Sequence, residues 1–225
     1  MSDLQTRLDE LTRSLTESEF HNYKTVLALA SGALLKASKA DTQAALMLTM
    51  GQLAASRKRP ESAKFGIAWQ GRPGFLADEV LEELRGESRR NRSRAKRIED
   101  HKVVPGGTAA RRLGQSADFL NLVKAQAGGA VSTERSSYLY YDEPGMGIDP
   151  HIDNPEFALN AILMLEHVHE AHPSALVFYE GTQSKRVHLA PGELILFFAD
   201  SVIHARERMK EREFVAIVAF GFQPF

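Results

Sequence analysis

The sequence predicts an α+β chain, with a helical N-terminal section ahead of an all-β sandwich or barrel. Three observations carry this. Apolar residues recur at helical spacing through about the first sixty positions. After Ala130 the texture changes to short runs rich in β-branched and aromatic residues. No helical stretch separates those runs, which is the pattern of a sandwich or barrel rather than of alternating strands and helices. The chain has 225 residues, 43% of them apolar, enough for one sizeable core and a helical appendage.

The elements follow in order. Ser2 or Asp3 can cap a first helix whose Leu4, Leu8, Leu11 and Leu15 form one apolar stripe. A second helix is expected from about Glu19 to Lys39. A third starts near Asp41, carries Leu46, Met47, Met50 and Leu53, and stops at Pro60 behind Arg57, Lys58 and Arg59. Residues 1–60 thus read as a helical segment whose stripes serve core packing or a homodimer face. Residues 61–130 read as a helical and loop support packed on the β region of residues 131–225. Within that support, Gly66, Gly71, Pro73 and Gly74 break the chain around Trp69, a core residue by preference. A short helix then turns Val80, Leu81 and Leu84 inward.

The basic run Arg85, Arg89, Arg90, Arg92, Arg94, Lys96, Arg97 reads as a solvated face or mobile loop, with a lid for an anionic substrate as the alternative. Pro105-Gly106-Gly107 is a turn, and Asp118 to Gln126 is a helix ended by Gly128-Gly129. The expected strands are Ser137–Tyr141, Asn160–Leu165, Ala175–Tyr179, Arg186–Leu189, Glu193–Phe198 and Phe214–Phe222.

Several function classes are disfavoured. A net charge of -1, with no aromatic residues among the clustered cations, argues against a nucleic-acid partner. No apolar tract approaches the ~20 residues that span a bilayer, and the N-terminus does not resemble an export signal. A cytoplasmic protein is the default expectation. Cysteine is absent, so any metal must be held by His, Asp or Glu.

The informative stretch runs from Tyr141 to Asn154. His151 and Asp153 are two apart, so on a strand their side chains share a face and can converge on one ion. His204 follows the apolar run Glu193–Phe198. Two imidazoles and one carboxylate on one side of a metal form a facial triad suited to ferrous iron. Arg212 lies eight residues beyond His204. By alternation it shares a face with Phe214, Ala216, Val218 and Phe220, where a bound carboxylate is a fitting partner. Tyr141 offers a hydroxyl near the same place. A second cluster, Glu166-His167-Val168-His169-Glu170-Ala171-His172, has an H-x-H that could bind zinc, although a solvated turn is the preferred reading.

Taken as a set, Ser137 to Phe222 resembles the catalytic core of the 2-oxoglutarate/Fe(II) dioxygenases, in particular the prolyl-hydroxylase-like branch. The pattern is a tyrosine, a glycine-containing turn, H-x-D, several strands, a distal histidine and a basic residue opening the last strand. The chain supplies Tyr141, Gly145, Gly147, His151, Asp153, Pro191-Gly192, Leu194–Phe198, His204 and Arg212, with Asn154 and Pro155 also matching. The resemblance covers about two fifths of the chain. It implies a double-stranded β-helix, or jelly roll, and the use of Fe(II), 2-oxoglutarate and O2. It makes His151, Asp153 and His204 the iron ligands. Arg212 would grip the far carboxylate of 2-oxoglutarate, Tyr141 would be a second contact, and Arg206 and Arg208, read as loop residues, are the rivals for the grip.

The activity implied is oxidation of a substrate C–H coupled to release of succinate and CO2. A carboxylate at position 153 favours hydroxylation or a related oxidation over halogenation. The expected substrate is a small molecule such as an amino acid or natural-product intermediate. A protein side-chain hydroxylase and a non-catalytic binder of metal or small acids are the alternatives.

Overall fold

The computed structural model describes residues 59–224, apart from positions 61, 99, 171, 181 and 182, together with positions 10 and 13–16. The chain divides into two compact units, residues 1–53 and 54–225. In the first, the described positions 10, 13 and 14 are helical. The three expected N-terminal helices, and the dimer face read on them, otherwise lie outside the described residues.

The second unit is built on two antiparallel sheets. The larger has seven strands in the order β1-β9-β6-β11-β4-β3-β2. These are β1 (Ile67–Gly71), β2 (Lys96–Ile98), β3 (His101–Pro105), β4 (Ala130–Tyr141), β6 (Leu159–Val168), β9 (Leu194–Phe197) and β11 (Phe214–Pro224). The smaller sheet has the order β5-β10-β7-β8, from β5 (Ile148–His151), β7 (Leu176–Glu180), β8 (Gln183–Val187) and β10 (Ile203–Arg206). From β4 onward the chain passes back and forth between the sheets, as in a jelly roll.

Side-chain alternation divides the core in two. Ala161, Leu163 and Leu165 of β6 and Ala216, Val218 and Phe220 of β11 pack with residues of three helices. These helices are α1 (Asp78–Asn91), α2 (Thr108–Gly114) and α3 (Ala117–Ala127). The intervening Ile162, Met164, Val215, Ile217 and Ala219 join Leu176 and Phe178 of β7 in the space between the sheets. A strand covered on both faces needs apolar residues at every step. This is why β6 and the body of β11 read as unbroken greasy runs.

The support region is not only helix and loop. It contributes β1 and the hairpin β2–β3 to the larger sheet. The sequences IAWQG, KRI and HKVVP lack clear alternation. Pairing with β9 and β4 makes them strands. Leu81 and Leu84 of α1 are buried as expected, and Val80 is partly so.

Four members of the basic run form specific contacts instead of a loose cationic face. Arg85 donates to the Leu165 carbonyl at 2.9 Å and pairs with Glu82; Arg89 pairs with Glu166 at 2.7 Å. Arg92 pairs with Asp142 at 2.9 Å and lies 4.5 Å over the Phe214 ring, and Arg97 meets Glu143 at 2.6 Å. These cations fasten α1 and β2 to the sheet. Among the described residues, no helix is long and apolar enough to cross a membrane.

Candidate functional site

His151 ends β5 and stands directly opposite His204 of β10 in the smaller sheet. Asp153 follows two residues later, where its backbone N–H donates to the Ala199 carbonyl at 2.8 Å. Gly147 makes the approach possible: a Cβ there would come within 2.7 Å of the Arg206 carbonyl oxygen. One ligand atom from each of His151, Asp153 and His204 lies within 4.8 Å of the others. The two Nε2 atoms stand 3.4 and 3.7 Å from Asp153 Oδ1.

Backbone contacts orient both rings. His151 Nδ1 is 2.8 Å from the Asp149 carbonyl and His204 Nδ1 is 3.2 Å from that of Val202. A carbonyl only accepts, so these contacts put the proton on Nδ1 and leave each Nε2 lone pair facing Asp153. Asn160 donates its side-chain amide to Asp153 Oδ2 at 2.7 Å.

Burial holds His204 low, at about 4; His151 adds to the effect and Asp153 opposes it. Burial works to raise the Asp153 carboxyl, but His204, His151 and the Asn160 amide outweigh it, so the group sits below the usual carboxylate range. Phe197 meets the His204 ring edge-on at 4.8 Å and keeps that side dry. Two imidazoles and a carboxylate facing one another suit a borderline or hard divalent cation, and the donor set therefore fits ferrous iron.

Arg206 follows His204 by two residues in β10 and shares its inward face. It is 4% exposed. Its Nη2 donates to Ser174 Oγ at 2.8 Å, while Nε is buried without a partner. Its guanidinium lies 5.8 Å from the ring of Tyr141, the buried last residue of β4. Burial pushes the Tyr141 hydroxyl well above its ordinary value; Arg206 acts to lower it and Asp153 to raise it. Tyr141 therefore borders both the triad and the buried cation. A buried donor without a partner is costly, and an anionic oxygen would satisfy it.

Arg212 is elsewhere. It precedes β11, has a φ of 58°, pairs with Glu170 at 2.8 Å, and its side chain is 78% exposed. The expected alternation with Phe214 and Ala216 fails because the strand begins after it, at Phe214. The reading of Arg206 as a loop residue is likewise corrected, since it is a strand residue. Arg208 is half-exposed and tied to Asp100 and Asp149.

The solvated-turn reading of the His-rich cluster is corrected only at its start, since His169, Glu170 and His172 are exposed and lie beyond β6. His167 belongs to β6, with its Nε2 2.8 Å from the buried carboxylate of Glu213. Among the described residues the only potential metal-binding group is His151–Asp153–His204.

Four residues near the site carried no motif. Asn160 sits inside an apolar run, and Ser174 and Glu213 belong to connections. His101 opens β3, with its ring 6.0 Å from that of Tyr141. Burial and the neighbouring His151 hold it at about 4, so it is neutral at neutral pH. Only contacts made across strands distinguish these four.

No family profile and no curated protein sequence matches the chain. Solved structures do. The non-heme α-ketoglutarate-dependent epimerase SnoN of nogalamycin biosynthesis is 18% identical, with a TM-score of 0.61, covering 79% of this chain and 83% of that one. A Pseudomonas putida prolyl-4-hydroxylase is 17% identical, with a TM-score of 0.55, covering 78% of this chain and 99% of that one. HygX from Streptomyces hygroscopicus, with nickel and 2-oxoglutarate bound, is 13% identical, with a TM-score of 0.56, covering 71% and 83%. The structural neighbours are thus 2-oxoglutarate/Fe(II) oxygenases, and the chain has their fold.

Proposed function

We propose that the chain is an Fe(II)- and 2-oxoglutarate-dependent oxygenase that hydroxylates, or otherwise oxidises, an unactivated C–H of a small molecule. The observation that carries this reading is the convergence of His151, Asp153 and His204 on one point, with a buried Arg206 two residues along the same strand face. His151, Asp153 and His204 would hold the metal. Arg206, and not Arg212, would take the distal carboxylate of 2-oxoglutarate through its guanidinium, whose Nε has no partner, beside Tyr141. The bound metal, keto acid and oxygen supply the oxidising chemistry, with succinate and CO2 as coproducts.

The protein's own contribution is placement. The backbone carbonyls of Asp149 and Val202 set the imidazole tautomers, and Asn160 holds Asp153 so that Oδ1 faces the histidines. Phe178 and Phe197 exclude water beside His204. His101, neutral and half-buried at the edge of the site, offers a hydrogen-bond acceptor or donor to the substrate. A small-molecule substrate is supported by the likeness to SnoN and to HygX, the latter also solved with hygromycin B.

The test is succinate release with matched oxygen uptake by the iron-loaded protein, against panels of amino acids, natural products and peptides. Succinate release driven by a small molecule, with a product heavier by one oxygen, is the expected result. Stimulation by peptides alone would move the substrate class to proteins. No 2-oxoglutarate consumption under any condition would overturn the oxygenase reading.

A further inference from the structure

A buried acid stands directly before β11. Glu213 lies in the connection that leads into β11, and its contacts, not strand alternation, turn its side chain inward. The resemblance seen in the sequence calls for a basic residue opening this strand. An acid there, beside a site meant for a dianion, would repel the ligand unless its charge were used otherwise.

The contacts of Glu213 show how it is used. Its side chain is 2% exposed. Oε1 accepts from the Ser174 N–H and Ser174 hydroxyl, both at 2.7 Å, and lies 2.8 Å from His167 Nε2. Oε2 accepts from the Lys210 N–H at 3.0 Å. Burial acts to raise the carboxyl, but the bonds from Lys210, His167 and Ser174 prevail and hold it at about 2.

A serine hydroxyl has one proton. Given to Glu213, that proton leaves the Ser174 lone pairs for Arg206 Nη2, 2.8 Å away. The serine stands between acid and base. Among the described residues no carboxylate pairs with Arg206 directly, and its buried Nε keeps a donor to spare.

We propose that Glu213, acting through Ser174, is the positioning residue that aims the Arg206 guanidinium at the distal carboxylate of a bound 2-oxo diacid. The proposal rests on the functional reading above. In this reading the guanidinium is delivered from β10, and the acid before β11 serves as its orienting partner. Charge repulsion at the ligand is avoided because Arg206 lies between.

The test is calorimetric titration of two acids into the full-length protein loaded with nickel. One is 2-oxoglutarate; the other is pyruvate, which has the keto acid end but no distal carboxylate. Ser174→Ala and Glu213→Gln are each expected to weaken 2-oxoglutarate about tenfold, equivalent to ~1.4 kcal/mol, and to leave pyruvate unchanged. Ser174→Thr, which restores a hydroxyl, should return 2-oxoglutarate binding to near the wild-type value. Should Glu213→Gln fail to fold, Ser174→Ala carries the same prediction without removing a buried charge. Variants that bind 2-oxoglutarate as tightly as the wild type would overturn the inference, as would variants that lose both acids alike. A wild-type protein that binds neither acid would instead overturn the functional reading itself.

Discussion

The metal end of the candidate site and its Arg206 end are neighbours on β10, yet they are assembled differently. At the metal end, each imidazole is oriented by a carbonyl two residues before it, and two of the three candidate ligands come from one tripeptide. At the other end, the guanidinium is oriented by Ser174, Ser174 by Glu213, and Glu213 also by His167 and Lys210. Those groups come from β10, from the connections before β7 and before β11, and from β6. The first end is a local device completed by one strand pairing. The second exists only when several distant segments are docked. An arginine is long enough for a carboxylate grip to be delivered from more than one strand, so its position along the chain is less constrained than that of the ligands.

The contrast can be broken most severely at the metal end. Asp153→Ala should lower metal affinity by at least about 100-fold, because changes in groups that merely orient a ligand already cost about 10–100-fold. Equilibrium dialysis against Fe(II) or Ni(II) checks this, and the fold should survive, as judged by circular dichroism. At the other end, Arg206→Met should weaken 2-oxoglutarate by about 10–150-fold, the effect of losing a charged hydrogen-bonded contact worth ~1.5–3 kcal/mol. Arg212→Ala should leave it within about twofold, since an exposed pair such as Arg212–Glu170 contributes little. Equal losses in the two variants would erase the distinction drawn here.

Asn160→Ala should cost about tenfold in metal affinity, with 2-oxoglutarate affected only through the metal. Acid stability offers a measure of the Arg206 end alone. Glu213 is held at about 2 against an ordinary 4.5. Its contribution is therefore complete above pH 4.5 and lost as pH falls through 2. Denaturant titrations across that window should show Glu213→Gln removing of the order of 3 kcal/mol of the wild type's pH dependence. A small effect on stability belongs to Arg92→Ala, about 0.5–1 kcal/mol from a half-exposed ion pair and the Phe214 face, with ligand binding unchanged. A large loss of 2-oxoglutarate affinity there would restore the lid reading of the basic run.

Strands expected from unbroken apolar runs, β6, β9 and β11, are present within a few residues of their expected bounds. Strands that the sequence does not mark are short and hold polar residues, glycine or proline: KRI in β2, IDPH in β5, IHAR in β10. Their state is imposed by a partner, and a window of a few residues cannot show the partner. The same limit governs the site. His151 and Asp153 could be paired from spacing alone because alternation along a strand is a local rule. Arg212 was misread by that rule, since alternation counts only from where the strand begins, and that depends on how the loop from Glu207 to Glu213 is tied down by Ser174, Lys210 and Glu213.

The chain's own order of residues thus determined the β-rich C-terminal region, the greasy central strands and the identity of the three convergent side chains, because these follow from periodicities of a few residues. Tertiary structure alone decided which arginine is buried, what holds it, that His101 borders the site, and that the clustered cations are fastened to carboxylates. Each of those outcomes is a contact between segments many residues apart. Its free energy depends on distance and burial, which appear only when the sheets close on one another.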